Sequence, residues 1–340
     1  MKKILFLFTA ILTLFFSSCT YKSESFFAMD TYITVKAKGA DTELFEKLKS
    51  EVYADENRFS KTFAISEIYK FNISEDGADV SSETAELVSI ALDISEKTDD
   101  AFSPVMGSLC DLWNIKSDDP RVPEDAEISA ALDECRTENI KVCDNTISKT
   151  IPGTKIDLGG IAKGYTAGKC AKLLKEAGAK NALISFGSSV ACIGHSDEKK
   201  GGWNIGIKNP FDTSEIVGSV RLYDSCLAVS GAYERYFIKD GKRYHHILSP
   251  ESGYPAVSDI ESTAVISKDG ALADALSTAL FVMGKEKALS LYESHIFDFE
   301  AVIIMGDGSV YVTTGIEKDF DFNALATYKT GKNIIFNTAK

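Results

Sequence analysis

Six short segments with the composition of β-strands follow one another between residues 181 and 249, and they constrain the fold more than any other feature of the chain. They read NALISFG, WNIGIKN, GSVRLYD, CLAVSG, YERYFIK and RYHHILS, with glycine, aspartate and proline among the residues that separate them. Runs of β-branched and aromatic residues between such turn signals are typical of strands. Because strand and helix do not alternate regularly here, the pattern predicts mixed or antiparallel sheets rather than βαβ winding.

Helical patterns lie on both sides of this region. DTELFEKLKSEVYADENRFS, SETAELVSIALDISEKT and TAGKCAKLLKEAGAK have the apolar spacing of helices. Two closing helices are expected at about Gly270 to Met283 and Lys285 to Ser294, and AVIIMG, SVYVTT and NIIFN resemble terminal strands. No repeat period or proline-rich linker divides the chain. We therefore predict an α+β fold in a single unit over residues 28–340, with a first strand at MDTYITVKAKG.

The first nineteen residues resemble an export signal. Two lysines precede a mostly apolar run from Ile4 to Phe16, which is too short to span a bilayer comfortably and is typical of a signal-peptide core. The FFSSC ending resembles a relaxed lipobox, which would make Cys19 the lipidated first residue; cleavage by an ordinary signal peptidase is the alternative. We therefore expect export and a lipid anchor at Cys19 in a bacterial membrane, facing the periplasm. The expected bounds are a lipoprotein signal peptide over residues 1–18 and a short tether over residues 19–27.

The acidic composition limits what the protein binds. The formal net charge is −13, and the sequence contains no basic cluster of the kind that holds a phosphate backbone, so we expect no nucleic-acid partner. A small anionic ligand would need local positive charge, supplied by a helix N-terminus, a few cations or a metal ion. The six cysteines after Cys19 form no CxxC or Cys/His cluster and are expected to be buried free thiols.

DLGGIAKGY, Asp157 to Tyr165, is the first stretch that suggests a site. Two glycines let a ligand approach the backbone closely, and the predicted helix after them exposes N–H groups and a partial positive charge at its start. The motif therefore fits an anion site. A tight turn before an ordinary capped helix explains the same residues.

A second candidate lies in ADALSTALFVMG. Asp274 and Thr278 are four residues apart on a predicted helix, so they project from the same face. A carboxylate and a hydroxyl supply the hard oxygen ligands that suit Mg²⁺, and Ser277 could lie near them. The alternative is structural, because an aspartate near a helix start can cap it and a threonine can bond back to its own helix.

Two further stretches are less specific. HHILSPESGYP carries His245 and His246 at the end of a predicted strand, where at most one of them faces any one site. Such a histidine can contact phosphate or move a proton, or it can be partly buried and bonded to the backbone. AFSPVMGSLCDLWNI suits a loop packed against a planar ligand, or an irregular loop that covers the core.

Several of these stretches, taken in order, resemble one known family. MDTYITV, SEIYKFN, FSPVMGSLCDLW, DLGGIAKGY, SFGSS, WNIGIKNP, AVSGAYERYF, HHILSPESGYP and ADALSTALFVMG resemble the ApbE family, the FAD:protein FMN transferases. The resemblance extends from about Met29 to Val312. It implies an ApbE-like, T-fold-related architecture with helices packed on mixed or antiparallel sheets.

The resemblance implies a Mg²⁺-dependent transfer. FAD binds, its diphosphate is cleaved, and FMN is joined through a phosphoester to a Thr or Ser hydroxyl of an acceptor protein, with release of AMP. Acceptors of this family are typically flavoprotein subunits of membrane redox complexes. One alternative is an FAD pyrophosphatase, in which water replaces the acceptor hydroxyl. Another is a non-catalytic, lipid-anchored FAD-binding protein, although a binding protein would not need a Mg²⁺ site.

The resemblance also implies which residues form the site. The metal would be bound by Asp274, the Thr278 hydroxyl and Gly160, and Ser277 stands where many relatives have a second aspartate. Catalysis would depend on Asp274, Thr278 and His246, with His246 handling a proton near the phosphates. Asp157 is expected to hold the flavin edge rather than to polarise the incoming hydroxyl. The full set of expected flavin-contacting positions is Met29, Thr62, Ala101, Phe102, Ser103, Asp157, Lys163 and Leu248.

Overall fold

The computed structural model describes residues 20–196 and 201–322 and the backbone of residues 333–335. The predicted signal peptide and the lipid anchor at Cys19 lie outside the described residues. The helices are α1 (Thr42–Phe59), α2 (Glu67–Ile73), α3 (Ser82–Lys97), α4 (Gly107–Trp113), α5 (Asp125–Glu134), α6 (Ala162–Glu176) and α7 (Gly270–Ser294). The strands are β1 (Tyr21–Ala28), β2 (Thr31–Lys38), β3 (Gly77–Asp79), β4 (Ile140–Cys143), β5 (Thr146–Lys149), β6 (Ala182–Phe186), β7 (Ser189–Ile193), β8 (Trp203–Asn209), β9 (Asp212–Leu222), β10 (Cys226–Gly231), β11 (Tyr236–Lys239), β12 (Lys242–His245), β13 (Ile260–Ser267), β14 (Glu300–Met305), β15 (Val310–Val312), β16 (Phe320–Phe322) and β17 (Asn333–Ile335).

The strands form one large sheet and three small ones. The large sheet has the order β1-β2-β6-β7-β10-β13-β14-β15-β17, and its neighbouring strands are antiparallel except for β15 and β17. The small sheets are β16-β9-β8, β3-β5-β4 and the hairpin β11-β12. The predicted α+β class with mixed and antiparallel sheets is confirmed.

Both faces of the central strands are buried. In β13, Val265 packs with the helices on one face, while Ala264 and Ile266 pack on the other face with Trp203 and Val220 of the β16-β9-β8 sheet. Successive strand residues point to opposite faces, so an unbroken apolar run such as this one requires a layer on each side. The large sheet is therefore held between helices and a smaller sheet.

The helices predicted from apolar spacing are confirmed. α3 covers the expected residues 82–97, and Ser81 caps it by accepting a hydrogen bond from the N–H of Thr84. α7 is interrupted at Gly284, which has φ 73° and ψ 171°, so its two segments match the two predicted closing helices. In the described ranges, no helix is both long enough and apolar enough to cross a membrane.

The predicted tether over residues 19–27 is wrong for most of its length. Residues 21–28 form the edge strand β1, which pairs with β2 along its whole length. The Tyr21 ring packs edge-on against Trp203 with 5.7 Å between ring centroids, and Phe26 packs against Tyr53 at 5.8 Å. Most β1 side chains remain exposed or half-buried because β1 is an edge strand, so its polar composition resembles that of a linker.

The apolar patterns in the sequence did not predict the short helix α4. α4 occupies part of AFSPVMGSLCDLWNI, where a loop was expected. Trp113 at its end is fully buried and donates its indole N–H to the carbonyl oxygen of Gly253 at 2.7 Å. A helix of two turns is too short to show a convincing apolar period.

The described cysteines are all free. Four of them are buried as expected, Cys110 is partly exposed and Cys143 is exposed. Burial raises the pKa of the Cys170 and Cys226 thiols to about 12, so these groups remain protonated and unreactive.

Candidate active site

The first turns of α6 and α7 meet in the interior at two glycines. A Cβ atom on Gly164 would lie 2.0 Å from the Gly270 carbonyl oxygen and 2.6 Å from the Asp274 Cβ. A Cβ atom on Gly270 would lie 2.2 Å from the Gly164 carbonyl oxygen. A side chain at either position would push the helices apart. The last glycine of DLGGIAKGY therefore serves helix packing.

This close contact places the Asp274 carboxylate at the start of α6. Oδ2 accepts a hydrogen bond from the Gly164 N–H at 2.9 Å, and Oδ1 accepts one from the Ser189 hydroxyl at 3.2 Å. The Asp274 side chain is only 4% exposed. No cationic side chain of residues 20–196 or 201–322 lies within ion-pair distance of it. A buried carboxylate held by neutral donors retains lone pairs and charge for a cation.

The predicted anion site at the start of α6 is thus filled by a carboxylate of the protein itself. The partial positive charge of the helix start attracts this carboxylate. Asp274 does not cap its own helix. Asp269 does so, by accepting hydrogen bonds from the N–H groups of Ala271 and Leu272.

Thr278 lies one turn further along α7, beside the DLGG turn. A Cβ atom on Gly160 would lie 3.5 Å from Thr278 Oγ1 and 3.2 Å from a ring carbon of Phe102. Thr278 Oγ1 also lies 3.2 Å from Ser230 Oγ. The structure therefore brings Gly160, Asp274 and Thr278 together, although Gly160 and the two α7 residues are more than a hundred positions apart in the chain.

Ser277 has a different environment. It is fully buried, and its hydroxyl donates to the Asp274 carbonyl oxygen at 2.7 Å and contacts Ser230 Oγ at 2.8 Å. A serine hydroxyl bonded to its own helix in this way is structural. The geometry gives no support to Ser277 as a metal ligand.

The donor set around Asp274 suits a hard divalent cation. The described residues contain no cluster of three or more His, Cys, Asp or Glu residues that could hold a metal. A site here would combine one carboxylate with a hydroxyl and a backbone carbonyl. All of these are oxygen donors, which suit Mg²⁺ rather than Zn²⁺. A metal bound in this way would keep several coordination positions for water or phosphate oxygen.

Asp157, the first residue of the DLGG turn, belongs to a chain of ion pairs. Its Oδ2 is 3.1 Å from Lys61 Nζ, and its Oδ1 accepts the Gly159 N–H at 2.8 Å. Burial acts to raise the pKa of the Asp157 carboxyl, but Lys61 and Lys116 lower it well below its usual value. Asp157 is therefore ionised and can accept hydrogen bonds at neutral pH.

His245 and His246 face different surroundings, as predicted. His245 donates from Nε2 to the Ala256 carbonyl oxygen at 3.1 Å, and its Nδ1 has no partner among the described residues. His246 Nδ1 lies 3.2 Å from the Arg235 carbonyl oxygen, so Nδ1 carries the proton. Burial lowers the pKa of His245 to about 4, and burial with the nearby Lys116 ammonium lowers that of His246 to about 3. Both rings are neutral near pH 7, and with a pKa near 3 His246 can accept a proton only transiently.

The depressed pKa of His245 predicts a stability that depends on pH. Histidine titrates near pH 6.5 in the unfolded chain and near pH 4 in this fold, so the unfolded state binds more protons between these values and stability is lost as the pH falls. We expect this residue to cost about 2 kcal/mol between pH 6.5 and pH 5. His245→Gln should reduce the loss of melting temperature between pH 7 and pH 5. Equal losses in the parent, in His245→Gln and in a surface control, His195→Gln, would contradict the prediction.

The other predicted flavin positions differ in burial. Phe102 and Ser103 are buried, and the following residue, Pro104, accepts the Asp157 N–H at 2.8 Å, which joins this loop to the DLGG turn. Ala101 is half-buried at the start of the same loop. Leu248 is buried in the cluster around Trp113.

Three predicted positions lie at turns or helix ends. Met29 has φ 52° in the β1–β2 turn, and its N–H donates to Glu56 of α1 at 2.6 Å. Thr62 is exposed in the loop after α1, next to Lys61. Lys163 Nζ lies 3.3 Å from the Gly159 carbonyl oxygen, so its cation is at the DLGG turn as expected.

Sequence reasoning missed several groups that complete this arrangement. Ser189 and Ser230 lie in the quoted motifs SFGSS and AVSGAYERYF, but isolated hydroxyls give no spacing signal. Lys61 and Lys116 lie in loops far from DLGG in the chain. The position of each depends on the tertiary structure, which local sequence patterns do not specify.

Comparisons with known proteins agree with this geometry. The model of the ApbE family matches residues 29–303. Proteins named FAD:protein FMN transferase from Treponema pallidum and Klebsiella pneumoniae are each 35% identical to the chain; the matches cover 68% and 69% of it, and 67% and 73% of those proteins. The crystal structure of the ApbE protein from Thermotoga maritima has a TM-score of 0.79 at 32% identity, covering 87% of this chain and 98% of that one.

A second solved structure gives the same result. A histidine-to-glycine mutant of the flavin transferase ApbE from Vibrio cholerae has a TM-score of 0.78 at 28% identity, covering 88% of this chain and 99% of that chain. Sequence and architecture thus match the same proteins over most of their length. The chain belongs to the ApbE family.

Proposed function

We propose that this flavin transferase cleaves the diphosphate of FAD, joins FMN through a phosphoester to a Thr or Ser hydroxyl of an acceptor protein, and releases AMP. The observation that carries the proposal is the buried Asp274 carboxylate, held by neutral donors beside Thr278 and the Gly160 turn. Relatives named FAD:protein FMN transferase support the substrate. A protein that only stores FAD would have no use for such a carboxylate.

The residues that would hold Mg²⁺ are Asp274 through its carboxylate, Thr278 through its hydroxyl and Gly160 through its carbonyl. When bound, Mg²⁺ would neutralise charge on the diphosphate and orient it for attack. The Gly164 N–H and the Ser189 hydroxyl fix the orientation of the Asp274 carboxylate before any ligand arrives. Positioning of this kind supplies much of the catalysis in phosphoryl transfer.

The remaining groups would bind and orient the reactants. Asp157, ionised and held by Lys61, would accept a hydrogen bond from the flavin edge. Lys163 would face the phosphates. The neutral His246 would accept the proton of the acceptor hydroxyl at Nε2 as the hydroxyl oxygen bonds to phosphorus. Phe102 would limit water beside the Gly160 turn.

We further propose that the protein acts at the surface of a bacterial membrane. The signal-like N-terminus supports export and a lipid anchor at Cys19, facing the periplasm. Acceptor subunits of membrane redox complexes would then lie at the same surface. Mass spectrometry of the membrane fraction would test this through a diacylglyceryl group on Cys19; an unmodified cysteine in a cleaved or uncleaved chain would contradict it.

An acceptor assay tests the reaction itself. The protein is incubated with FAD and Mg²⁺, with and without a candidate acceptor domain, and AMP is measured by chromatography. We expect AMP release that depends on the acceptor, and flavin fluorescence that stays on the acceptor band in a denaturing gel. AMP release at the same rate without acceptor would indicate a pyrophosphatase, and FAD recovered intact would indicate storage.

A further inference from the structure

Two lysines beside Gly159 have no carboxylate partner. Lys116 Nζ lies 3.7 Å from the position that a Cβ atom on Gly159 would occupy. Lys163 Nζ lies 3.3 Å from the carbonyl oxygen of the same residue. Within residues 20–196 and 201–322, no carboxylate oxygen is at ion-pair distance from either ammonium group. The two cations therefore lie within about 10 Å of each other, because the atoms of one residue are only about 3 Å apart.

The neighbouring carboxylates already have cation partners. Lys61 Nζ lies 3.1 Å from Asp157 and 2.9 Å from Asp111, and Lys155 Nζ lies 2.8 Å from the second oxygen of Asp111. Two lysines thus balance two aspartates in this cluster. The charges of the two lysines beside Gly159 remain in excess.

Glu234 is an anionic group that acts on Lys163 from beyond ion-pair distance. Although part of its side chain is exposed, desolvation raises the pKa of the Glu234 carboxyl in spite of the nearby lysines, and the Asp274 charge acts in the same direction. Because the Glu234 side chain is exposed and is not ion-paired with Lys163, solvent screens the effect of its charge on Lys163.

We propose that Lys116 and Lys163 bind the diphosphate of the dinucleotide, with one ammonium group for each phosphate charge. The identity of this ligand rests on the proposed function. Gly159 is adjacent to Gly160, whose Cβ position lies 3.5 Å from Thr278 Oγ1, so phosphates between the two lysines would lie near the Thr278 hydroxyl. Lys116 acts electrostatically on His246 as well. The protein has a net charge of −13 and would repel the doubly charged diphosphate. The two lysines offset this repulsion locally.

Equilibrium binding of FAD and riboflavin separates phosphate contacts from flavin contacts. Titrations that follow flavin fluorescence in EDTA, where no turnover occurs, compare the parent with Lys116→Gln, Lys116→Arg and a matched control, Lys172→Gln. Lys172 is exposed on α6, more than two turns beyond Lys163. We expect Lys116→Gln to weaken FAD binding about tenfold, since it removes one charge-assisted contact, and to change riboflavin binding less than about twofold. Lys116→Arg and Lys172→Gln should bind FAD as the parent does.

The outcomes distinguish this inference from the proposed function. Unchanged FAD affinity in Lys116→Gln, with a parent that binds FAD, would overturn the inference alone. Equal losses for FAD and riboflavin would also overturn it, because they would place Lys116 at the flavin or in the fold. A parent that binds no FAD would overturn the proposed function and the inference with it.

Discussion

Asp274→Asn is expected to slow AMP release from FAD by at least about a thousandfold, equivalent to about 4 kcal/mol of transition-state stabilisation. Asparagine keeps the size of the side chain and an oxygen to accept the Gly164 N–H, but it removes the negative charge one helical turn from the Thr278 hydroxyl. A neutral amide binds Mg²⁺ far less well than a carboxylate does. The loss should therefore fall on activity rather than on the fold.

The matched control for this variant is Asp269→Asn on the same helix. Asp269 caps α7 through the N–H groups of Ala271 and Leu272, so its substitution alters a helix end without touching the oxygen cluster. Turnover is measured after dialysis against a chelator and return of Mg²⁺, and circular dichroism checks the fold. If Asp274→Asn regains the parental rate under these conditions, Asp274 is not a metal ligand.

Gly164→Ala is expected to destabilise the protein by about 3 kcal/mol, at the upper end of the usual cost of overpacking. The added methyl group would lie 2.0 Å from a backbone oxygen and 2.6 Å from the Asp274 Cβ. Neither neighbour is the flexible end of a side chain, so the helices must separate. For a chain of this size the melting temperature should fall by roughly 4–5 °C, and activity should fall too because Asp274 moves with its helix.

Gly168 offers a control within the same helix. A Cβ atom there would meet its nearest neighbour, the Gly270 nitrogen, at 3.6 Å, which is an ordinary contact. Alanine favours a helix interior over glycine by about 1 kcal/mol, so Gly168→Ala should leave the melting temperature unchanged or raise it slightly. If Gly164→Ala and Gly168→Ala both have the melting temperature of the parent, α6 and α7 do not pack as closely at Gly164 as described here.

Local signals made much of the fold predictable from the sequence. The bounds of α3 follow from a serine cap and an apolar period, and the break in α7 follows from Gly284, whose positive φ a glycine adopts without strain. Edge strand β1 was not predictable in the same way, because its side chains are mostly solvent-facing and its order comes from pairing with β2. Local patterns carry no information on such pairing.

The site was predictable in parts. Asp274 and Thr278 share a helix face by simple periodicity, whereas the neighbour that orients Asp274 is the Gly164 N–H, 110 residues earlier in the chain. The sequence suggested no role for Gly164, whose lack of a side chain admits another helix. Lys116 gave no local signal, because its position beside Gly159 exists only in the folded chain.

The most direct test of the metal-assisted cleavage is a crystal structure with FAD and Mn²⁺, in which anomalous scattering identifies the manganese. We expect one Mn²⁺ within about 2.5 Å of oxygens from Asp274, Thr278 and Gly160, in contact with the FAD diphosphate. A fully bound FAD whose diphosphate and Mn²⁺ lie away from all three residues would contradict it.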